Sequence, residues 1–201
     1  MKRGIDLVLA VVGSIMLLPV FVVVAVLVRI RLGSPVLFRQ QRAGLAGRPF
    51  ELVKFRSMND DRSVTGELLS DADRITPFGR WLRSTSLDEL PELWLVVGGA
   101  MSVIGPRPLP VSYLDRYTPE QARRHEVKPG ITGWAQVNGR NTVDWNERLA
   151  MDVWYVDNRS LWLDLQILWR TVTVVARRDG VSAQGEATMH ELPPRSTGDD
   201  S

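Results

Sequence analysis

A long apolar segment near the N-terminus constrains this chain more than any other feature. Ile5 to Val28 is a run of 24 residues that carries a single charge, Asp6, near its start. As one helix it would be about 36 Å long at about 1.5 Å per residue, and the hydrocarbon core of a bilayer is about 30 Å thick. It is too long for the apolar part of a cleaved signal peptide, and no small-residue cleavage site follows it. The segment therefore predicts a helix that either spans a membrane or enters and leaves by the same face.

Two features of the segment bear on that choice. Pro19 interrupts it, and proline removes a helical hydrogen bond and kinks the axis. Basic residues flank both ends, Lys2 and Arg3 before the segment and Arg29 and Arg31 after it. Because Lys and Arg are enriched on the cytoplasmic side, two basic flanks favour neither direction of crossing. Proline also occurs in spanning helices, so these residues alone leave both topologies open.

The composition of the whole chain is that of a folded protein. Apolar residues make up 44% and charged residues 24% of its 201 residues, which argues against global disorder. The net charge of +2 argues against a protein that coats nucleic acid, although residues 1–56 carry nine cations and only two anions. Such a basic region beside an apolar segment attracts anionic lipid headgroups. With no Cys and two His residues, a disulfide scaffold and a thiolate zinc site are excluded and a histidine-based triad is disfavoured.

The pattern along the body predicts an α+β domain that is mainly helical. Val36 to Phe38 and Phe50 to Arg56 are strand candidates on either side of a Gly-rich loop at 44–47, which predicts a small β-hairpin. We expect a membrane segment over residues 1–31, a catalytic domain over 32–185 and a disordered, polar tail over 186–201.

Four further segments of the body have a predicted structure. Phe78 to Arg83 and Ser86 to Val97 are predicted helices, and Thr118-Pro119-Glu120-Gln121 is typical of a capped helix start. Val127 to Asn141 contains one Pro and three Gly, so we predict a loop or hairpin there, with a tight turn at Asn138-Gly139.

Leu161 to Arg178 is predicted to form an amphipathic helix. Its apolar residues recur at spacings of four and three; they are Leu161, Leu165, Leu168, Val172 and Val175. Ordinary core packing would explain this stripe. Trp162 and Trp169 flank it, and because Trp is enriched at lipid interfaces, a helix lying in the membrane interface is the alternative.

The adjacent carboxylates Asp88 and Glu89 are open to two interpretations. Either Asp88 caps the helix that contains Pro91, or Ser86 and Glu89 form a capping box. Alternatively, the pair binds a hard cation such as Mg²⁺, with nearby arginines on phosphate oxygens. Arg80 and Arg83 precede the pair, and Arg107 lies in a turn braced by Pro106 and Pro108.

A second basic pair lies on the predicted strand that ends at residue 56. Because side chains alternate along a strand, Lys54 and Arg56 should point the same way. Two neighbouring cations suit an anionic ligand, but a solvated edge strand often carries Lys and Arg as well.

Four blocks of sequence together resemble the bacterial sugar transferase family, the small monotopic polyprenyl-phosphate phosphoglycosyl transferases. The blocks are Lys54-Phe55-Arg56-Ser57-Met58, Arg83-Ser84-Thr85-Ser86-Leu87-Asp88-Glu89-Leu90-Pro91, Met101-Ser102-Val103-Ile104-Gly105-Pro106-Arg107-Pro108 and Pro129-Gly130-Ile131-Thr132-Gly133-Trp134-Ala135-Gln136-Val137-Asn138-Gly139-Arg140-Asn141. The resemblance covers about residues 1–185 and is specific because the blocks are long and follow one another in order.

The resemblance implies an activity and a set of site residues. Such enzymes transfer a sugar 1-phosphate from a UDP-sugar to polyprenyl (undecaprenyl) phosphate and release UMP. By resemblance, Asp88 is the nucleophile and a ligand of Mg²⁺, and Glu89 either helps to hold Mg²⁺ or orients the acidic pair. Arg83 and Arg107 clamp phosphates. Lys54 and Arg56 are weaker candidates for the same clamp.

The resemblance also implies a place for the enzyme in the cell. It predicts a re-entrant N-terminal helix, interfacial amphipathic helices that contact membrane lipids, and a monotopic enzyme of the inner (cytoplasmic) membrane that faces the cytoplasm. It allows a homo-oligomer.

One position departs from the family pattern, and one alternative function stays open. Leu18 precedes Pro19 where family members often have Ser, so we expect the Ser14 hydroxyl to bond a carbonyl that the kink frees. The alternative function is a non-catalytic membrane scaffold of a glycan assembly complex, in which Asp88 and Glu89 only cap a helix.

Overall fold

The computed structural model describes residues 1–63, 65–139, 143–177 and 191–194, and it confirms an α+β fold that is mainly helical. The helices are α1 (Lys2–Met16), α2 (Leu18–Arg31), α3 (Asp71–Arg74), α4 (Pro77–Ser84), α5 (Glu92–Gly98), α6 (Pro119–Ala122), α7 (Trp134–Asn138), α8 (Trp145–Asn158) and α9 (Leu161–Arg177). The strands are β1 (Leu37–Ala43), β2 (Pro49–Phe55), β3 (Ser102–Ile104) and β4 (Gly130–Thr132). Short 3₁₀ turns cover Leu45–Gly47, Leu87–Glu89, Val111–Arg116 and Arg123–Glu126.

The apolar N-terminal segment forms the two consecutive helices α1 and α2, whose axes are bent by 62°. Pro19 lies in the first turn of α2, where its missing N–H removes no hydrogen bond. Among the described residues, no single helix is long and apolar enough to cross a membrane. By length and composition alone, α1 and α2 together meet this requirement.

The bend does not use the Ser14 hydroxyl, so that expectation is wrong. Ser14 Oγ is buried without a hydrogen-bond partner in the part of the chain that the structure describes. Backbone hydrogen bonds continue up to and past the break, from Leu17 N to Gly13 O at 2.9 Å and from Phe21 N to Leu17 O at 2.8 Å. Carbonyls on both sides of the break are therefore bonded without the help of a side chain.

The start of α1 is fixed to the body by polar contacts. The buried carboxylate of Asp6 accepts hydrogen bonds from Ser102 Oγ at 2.8 Å and from Val103 N at 3.1 Å. Arg3 donates to the carbonyl of Val96 at 2.6 Å, at the C-terminal end of α5. This end of a helix carries partial negative charge, which favours a cation there.

The end of α2 is fixed to the same body by apolar contacts. Val24 and Val28 are fully buried in one cluster with Phe55 of β2 and Leu82 of α4. Both ends of the bent pair are therefore fixed to one body.

The predicted hairpin is confirmed, with a longer first strand than expected. β1 and β2 pair antiparallel in a register that runs from Leu37 opposite Phe55 to Ala43 opposite Pro49. Leu52 and Phe55 are buried, so the hairpin supplies one apolar face to the core.

The prediction of a loop or hairpin over residues 127–141 is wrong. β4 pairs in parallel with β3, and α7 follows it at once. The glycines serve a close approach of two backbones, since a Cβ on Gly130 would lie 2.1 Å from Gly105 N. Asn138-Gly139 ends α7 rather than forming a hairpin turn, and the last residues of this sequence block, 140–141, lie outside the described residues.

Two predicted helix starts have different outcomes. The capping box of Thr118 and Gln121 is present at α6, with Pro119 in the first turn. The helix predicted from Ser86 is wrong at its start, because Leu87–Glu89 is a 3₁₀ turn and α5 begins only at Glu92. Pro91 explains this difference, since its ring would clash with the carbonyl four residues earlier in a continuous helix.

Four of the five residues of the apolar stripe predicted for the last helix are exposed, so core packing is the wrong interpretation of most of it; only Leu168 packs against the core. On α9 the buried positions are Leu163, Asp164 and Ile167. Leu165 is 56% exposed and Trp169 is 71% exposed. This helix therefore presents an apolar face with Trp to its surroundings, while the predicted last residue, 178, lies outside the described range.

The expectation of a disordered tail over 186–201 is wrong for residues 191–194. Leu192 is buried against the body, and its N–H donates to Tyr113 Oη at 3.2 Å. The other residues of that tail lie outside the described residues.

We expect the substitution Asp6→Ala to destabilise the fold by about 1–3 kcal/mol, because the buried N–H of Val103 loses its acceptor and the Ser102 hydroxyl keeps only the carbonyl of Ile104. Chemical unfolding of the purified protein in detergent would measure this. Ser14→Ala is the matched control, since the buried Ser14 hydroxyl has no bond to lose in the described structure. Equal stability of the two variants would contradict the role of Asp6.

Candidate active site

A pocket of about 710 Å³ lies where β2, the 3₁₀ turn at Leu87–Glu89 and the helices α5, α8 and α9 meet. Its charged lining residues are Arg42, Lys54, Asp71, Arg83, Asp88, Glu89, Arg107, Arg148 and Glu191. Its apolar lining includes Leu17 at the helix bend and Leu90, Leu93, Ile131, Val137, Val174 and Val175. The pocket thus joins a highly charged part to an apolar part.

Asp88 lies in this pocket on a tight turn. Ser86 adopts a left-handed conformation (φ 56°), which reverses the chain after α4 and starts the 3₁₀ turn that carries Asp88. Ser86 precedes the 3₁₀ turn and makes no side-chain cap. Pro91 precedes α5 and makes none either. Both capping interpretations of the acidic pair are therefore wrong.

Burial dominates the electrostatics of the Asp88 carboxylate. The residue is only 4% exposed, and burial together with the charge of Glu89 raises its pKa from 3.8 to about 6. Three neighbouring cations lower the pKa of Asp88 but do not outweigh burial and Glu89; they are Lys54, Arg83 and Arg107. A desolvated carboxylate whose pKa lies below neutral pH is ionised and weakly hydrated at pH 7.

Glu89 and Arg107 form an ion pair at the edge of the pocket. Arg107 donates to Glu89 Oε1 at 2.5 Å, and this carboxylate raises the pKa of Arg107. The Arg107 backbone is held as predicted for a braced turn, because Arg124 donates to its carbonyl at 2.7 Å. Arg124 is in turn held by a buried ion pair with Asp152, also at 2.7 Å.

Lys54 and Arg83 approach Asp88 from two other elements. Lys54 is near the end of β2, and burial lowers its pKa while Asp88 raises it. Burial likewise lowers the pKa of Arg83, whose Nε donates to Ser57 Oγ at 2.9 Å. Close packing fixes α4 there, since a Cβ on Gly79 would lie 1.8 Å from Ser57 O.

Arg56 does not join these cations. It donates to the carbonyl of Ser34 and to Asp60 Oδ2, both at 3.1 Å, and it is not part of the pocket lining. Strand alternation fails for this pair because β2 ends at Phe55. The structure therefore separates the two cations that the strand pattern predicted to act together.

One buried acidic residue of the site is not among the predicted residues. Glu92 is in the first turn of α5 and is buried. Burial, followed by the charge of Glu89, raises its pKa well above the ordinary value. Its position four residues after Asp88 is a helical spacing that could have drawn attention to it.

Four further pocket residues were also not predicted. They are Arg42, Tyr113, Trp145 and Arg148. Burial, followed by the charge of Arg107, lowers the pKa of both Arg42 and Arg148 to about 10. These residues come from β1, a 3₁₀ turn and α8, so only the tertiary fold brings them together and no sequence spacing predicts them.

The donor set of the site fits Mg²⁺ only in part. Within the described residues, no group of three or more His, Cys, Asp or Glu side chains is placed to hold a metal ion. Mg²⁺ is commonly bound by one or two carboxylates together with substrate phosphates. Asp88 and Glu89 meet that smaller requirement, so the site fits an ion that the substrate helps to bind.

The sequence model of the bacterial sugar transferase family matches residues 1–178. The sugar transferase EpsL of Bacillus subtilis is 53% identical over 171 residues, which cover 85% of this chain and 83% of that protein. The UDP-galactose-lipid carrier transferase of Erwinia amylovora is 42% identical, with 90% of this chain and 41% of that protein covered.

A third relative is the UDP-glucose:undecaprenyl-phosphate glucose-1-phosphate transferase of Caulobacter vibrioides, which is 39% identical over 89% of this chain and 70% of that protein. The chain spans about two fifths of the length of the Erwinia relative.

The raised pKa of Asp88 predicts that its ionisation opposes folding. The folded protein binds this proton more tightly than the unfolded chain, so stability falls as the pH rises through about 6. We expect Asp88→Asn to stabilise the protein at pH 7.5 by about 1–3 kcal/mol. Unfolding at pH 7.5 and pH 4.5 would measure this, because at pH 4.5 the wild-type side chain is protonated and the difference should shrink. A variant that is less stable than wild type at both pH values would contradict the raised pKa.

Proposed function

The chain belongs to the bacterial sugar transferase family, and from this premise we propose that it transfers a sugar 1-phosphate from a UDP-sugar to polyprenyl phosphate, with release of UMP. The names of its Erwinia and Caulobacter relatives describe transfers of this class. The observation that carries the proposal is Asp88, a buried carboxylate in a pocket lined by five cations, three of which lie close enough to lower its pKa.

In the first step, a carboxylate oxygen of Asp88 attacks the sugar-bearing phosphorus of the donor. The bond from that phosphorus to the oxygen that bridges the two phosphates breaks, and UMP leaves with the bridging oxygen. The product is an aspartyl phosphosugar, a covalent intermediate that divides one difficult displacement into two easier ones. Burial of Asp88 supports this role, because a weakly hydrated anion is a better nucleophile.

In the second step, a phosphate oxygen of polyprenyl phosphate attacks the same phosphorus. The bond to Asp88 breaks, the carboxylate is restored and the polyprenyl-diphosphate sugar is released. Two successive displacements at one carboxylate predict ping-pong kinetics.

The cations around Asp88 stabilise the charge of both steps. Lys54, Arg83 and Arg107 face a carboxylate that must approach a negatively charged diphosphate, and Arg side chains bind phosphate oxygens in bidentate fashion. The ion pair of Arg107 with Glu89 holds Arg107 in position until phosphate arrives.

Asp88 and Glu89 would hold Mg²⁺ together with oxygens of the donor diphosphate. A bound Mg²⁺ offsets the repulsion between a carboxylate and a diphosphate.

The apolar part of the pocket suits the lipid acceptor. Leu17 at the helix bend, Leu93 of α5 and Val174 of α9 line the same pocket as Asp88. An isoprenoid chain can lie against these side chains while its phosphate reaches the charged part. Acceptor and nucleophile therefore meet where the apolar and charged linings join.

We also propose that α1 and α2 form a re-entrant membrane segment and that the enzyme is monotopic, on the cytoplasmic face of the inner membrane. Exposed apolar residues at the bend, such as Met16 and Leu18, suit the lipid interior, and both ends of the pair lie on one body. The exposed apolar face of α9, with Trp162 and Trp169, suits the membrane interface.

The alternative of a non-catalytic scaffold loses its structural basis. It requires Asp88 and Glu89 to act as helix caps, and they cap neither of the two helical segments beside them. A scaffold also gives no reason for burying a carboxylate beside a pocket.

We expect Asp88→Asn to lower UMP release by a factor of about 10⁴ or more, because the amide cannot act as the nucleophile. The assay supplies polyprenyl phosphate, Mg²⁺ and a panel of UDP-sugars that begins with UDP-glucose and UDP-galactose, the donors in the names of relatives. Wild-type protein stopped within one turnover, without acceptor, should gain the mass of one sugar phosphate on the peptide that contains Asp88.

Asp115→Asn is the matched control for this experiment, because Asp115 is exposed and does not line the pocket. Unchanged turnover in Asp88→Asn, or lipid product without any adduct at Asp88, would refute the proposed intermediate.

The topology can be tested by cysteine labelling, since the chain has no Cys of its own. In inverted inner-membrane vesicles, Lys2→Cys and Arg31→Cys should both react with a membrane-impermeant maleimide, and in right-side-out vesicles neither should react. Met16→Cys, next to the bend, should be protected in both preparations. Labelling of the two ends from opposite sides would mean that the segment spans the membrane.

A further inference from the structure

Residues 191–194, here called the C-terminal clasp, lie on the body beyond the end of the family match at residue 178. Arg116 donates one hydrogen bond to the carbonyl of Leu192 and a second, at 2.8 Å, to Glu191 Oε1. The N–H of Leu192 donates to Tyr113 Oη at 3.2 Å. Three hydrogen bonds thus hold a four-residue segment on one 3₁₀ turn.

Apolar packing fixes the clasp as well. Leu192 is only 5% exposed and belongs to a buried cluster with Leu109, Tyr113, Tyr117 and Leu149. Its side chain is therefore part of the core beside the pocket, although its neighbours Glu191, Pro193 and Pro194 are exposed.

The clasp and the pocket share a wall at Tyr113. Tyr113 packs edge-to-face against Trp145 with ring centroids 5.9 Å apart, and the guanidinium of Arg148 lies 5.7 Å from the Trp145 ring centroid. All three residues line the pocket, and Glu191 of the clasp lines it too. The clasp is thus the outer wall of the pocket end formed by Arg42, Tyr113, Trp145 and Arg148.

The charges of this end call for an anion. Burial, followed by the charge of Arg107, lowers the pKa of both Arg42 and Arg148, although a neighbouring carboxylate acts in the opposite direction on each, Glu92 on Arg42 and Asp152 on Arg148. Arg42 Nε is buried without a hydrogen-bond partner among the described residues. The nearest carboxylate of the clasp, Glu191, is already paired with Arg116.

We propose that the end of the pocket formed by Arg42, Tyr113, Trp145 and Arg148 holds the nucleoside monophosphate part of the donor, and that the C-terminal clasp closes it as its outer wall. This inference rests on the proposed function. The aromatic rings offer a stacking surface for a planar base, and the two arginines offer charge for the phosphate that is not attacked. The sugar-bearing phosphate then lies towards Asp88, and the leaving UMP occupies the end that the clasp encloses.

Two variants detach the clasp in different ways. Leu192→Ala removes the buried side chain, and Arg116→Ala removes two of the three hydrogen bonds without altering the clasp itself. In each variant we expect the KM for the UDP-sugar to rise about three- to tenfold, because a wall of the donor site is lost. The KM for polyprenyl phosphate should stay within about twofold of wild type, because the acceptor enters by the apolar part.

Leu45→Ala is the control for loss of a leucine side chain, since Leu45 is exposed and lies outside the pocket lining. Both detaching variants act on one contact, so the double variant should raise the donor KM no more than the stronger single one. Calorimetry with UMP alone gives a second readout, in which UMP affinity should fall in both variants by a similar factor.

The outcomes separate this inference from the proposed function. Wild-type protein that releases no UMP from any UDP-sugar would refute the proposed function, and calorimetry with UMP would still test the clasp. A donor KM and UMP affinity that stay at wild-type values in both variants would overturn the inference. Equal rises in donor and acceptor KM would also overturn it, since they indicate a general loss of structure. If Leu192→Ala does not fold, the donor KM and the UMP affinity of Arg116→Ala test the inference alone.

Discussion

A carboxylate that is held out of water beside a pocket, that of Asp88, constrains how the rest of this structure must be arranged. An unpaired buried carboxylate is strongly unfavourable, and Asp88 keeps its charge at neutral pH because Lys54, Arg83 and Arg107 surround it. These cations come from a strand, a helix and a turn that are far apart in the sequence, so the fold must bring the three elements to one point. Arg124 and the close packing of Gly79 on Ser57 fix two of those elements. The elements that position the cations are therefore also those that make a reactive carboxylate tolerable.

A second constraint concerns the depth of this carboxylate relative to a lipid. The bent helix pair is fixed to the body at Asp6 and at Val28. Leu17 at the bend lines the same pocket as Asp88. The residue that marks the break in the apolar segment is thus a neighbour of the charged site. An acceptor whose phosphate is polar and whose tail is apolar needs such a junction, because neither part should lose a suitable environment during transfer.

Most of the candidate site residues could be named because they lie in sequence blocks that resemble a known family, whereas their spacing alone left helix capping open. Asp88, Glu89 and Arg83 are within seven residues of one another, and the prolines around Arg107 fix a turn whatever the rest of the fold. The hairpin and the cap at Thr118 were predictable from short, local patterns. The exposed face of α9, the pairing of β4 with β3 and the separation of Arg56 from Lys54 depend on tertiary contacts that periodicity does not encode. The sequence did not single out Trp145, Arg148 and Glu92, because only the folded structure shows which residues surround them.

The docking of the C-terminal clasp is energetically marginal, and this bears on how the donor end of the pocket works. Ordering four residues costs about 1–2 kcal/mol each. Burying Leu192 returns about 1.5–3 kcal/mol, and each of the three hydrogen bonds contributes about 0.5–1.5 kcal/mol. The two sides nearly cancel, so a small additional interaction is enough to decide whether the clasp is docked. A nucleotide that stacks on Trp145 and Tyr113 stabilises the wall on which Leu192 rests, and by linkage a docked clasp strengthens the binding of that nucleotide to the same degree. Under the proposed function, the bound nucleotide and the docked clasp therefore support each other, and a change that weakens either of them weakens the other to the same degree.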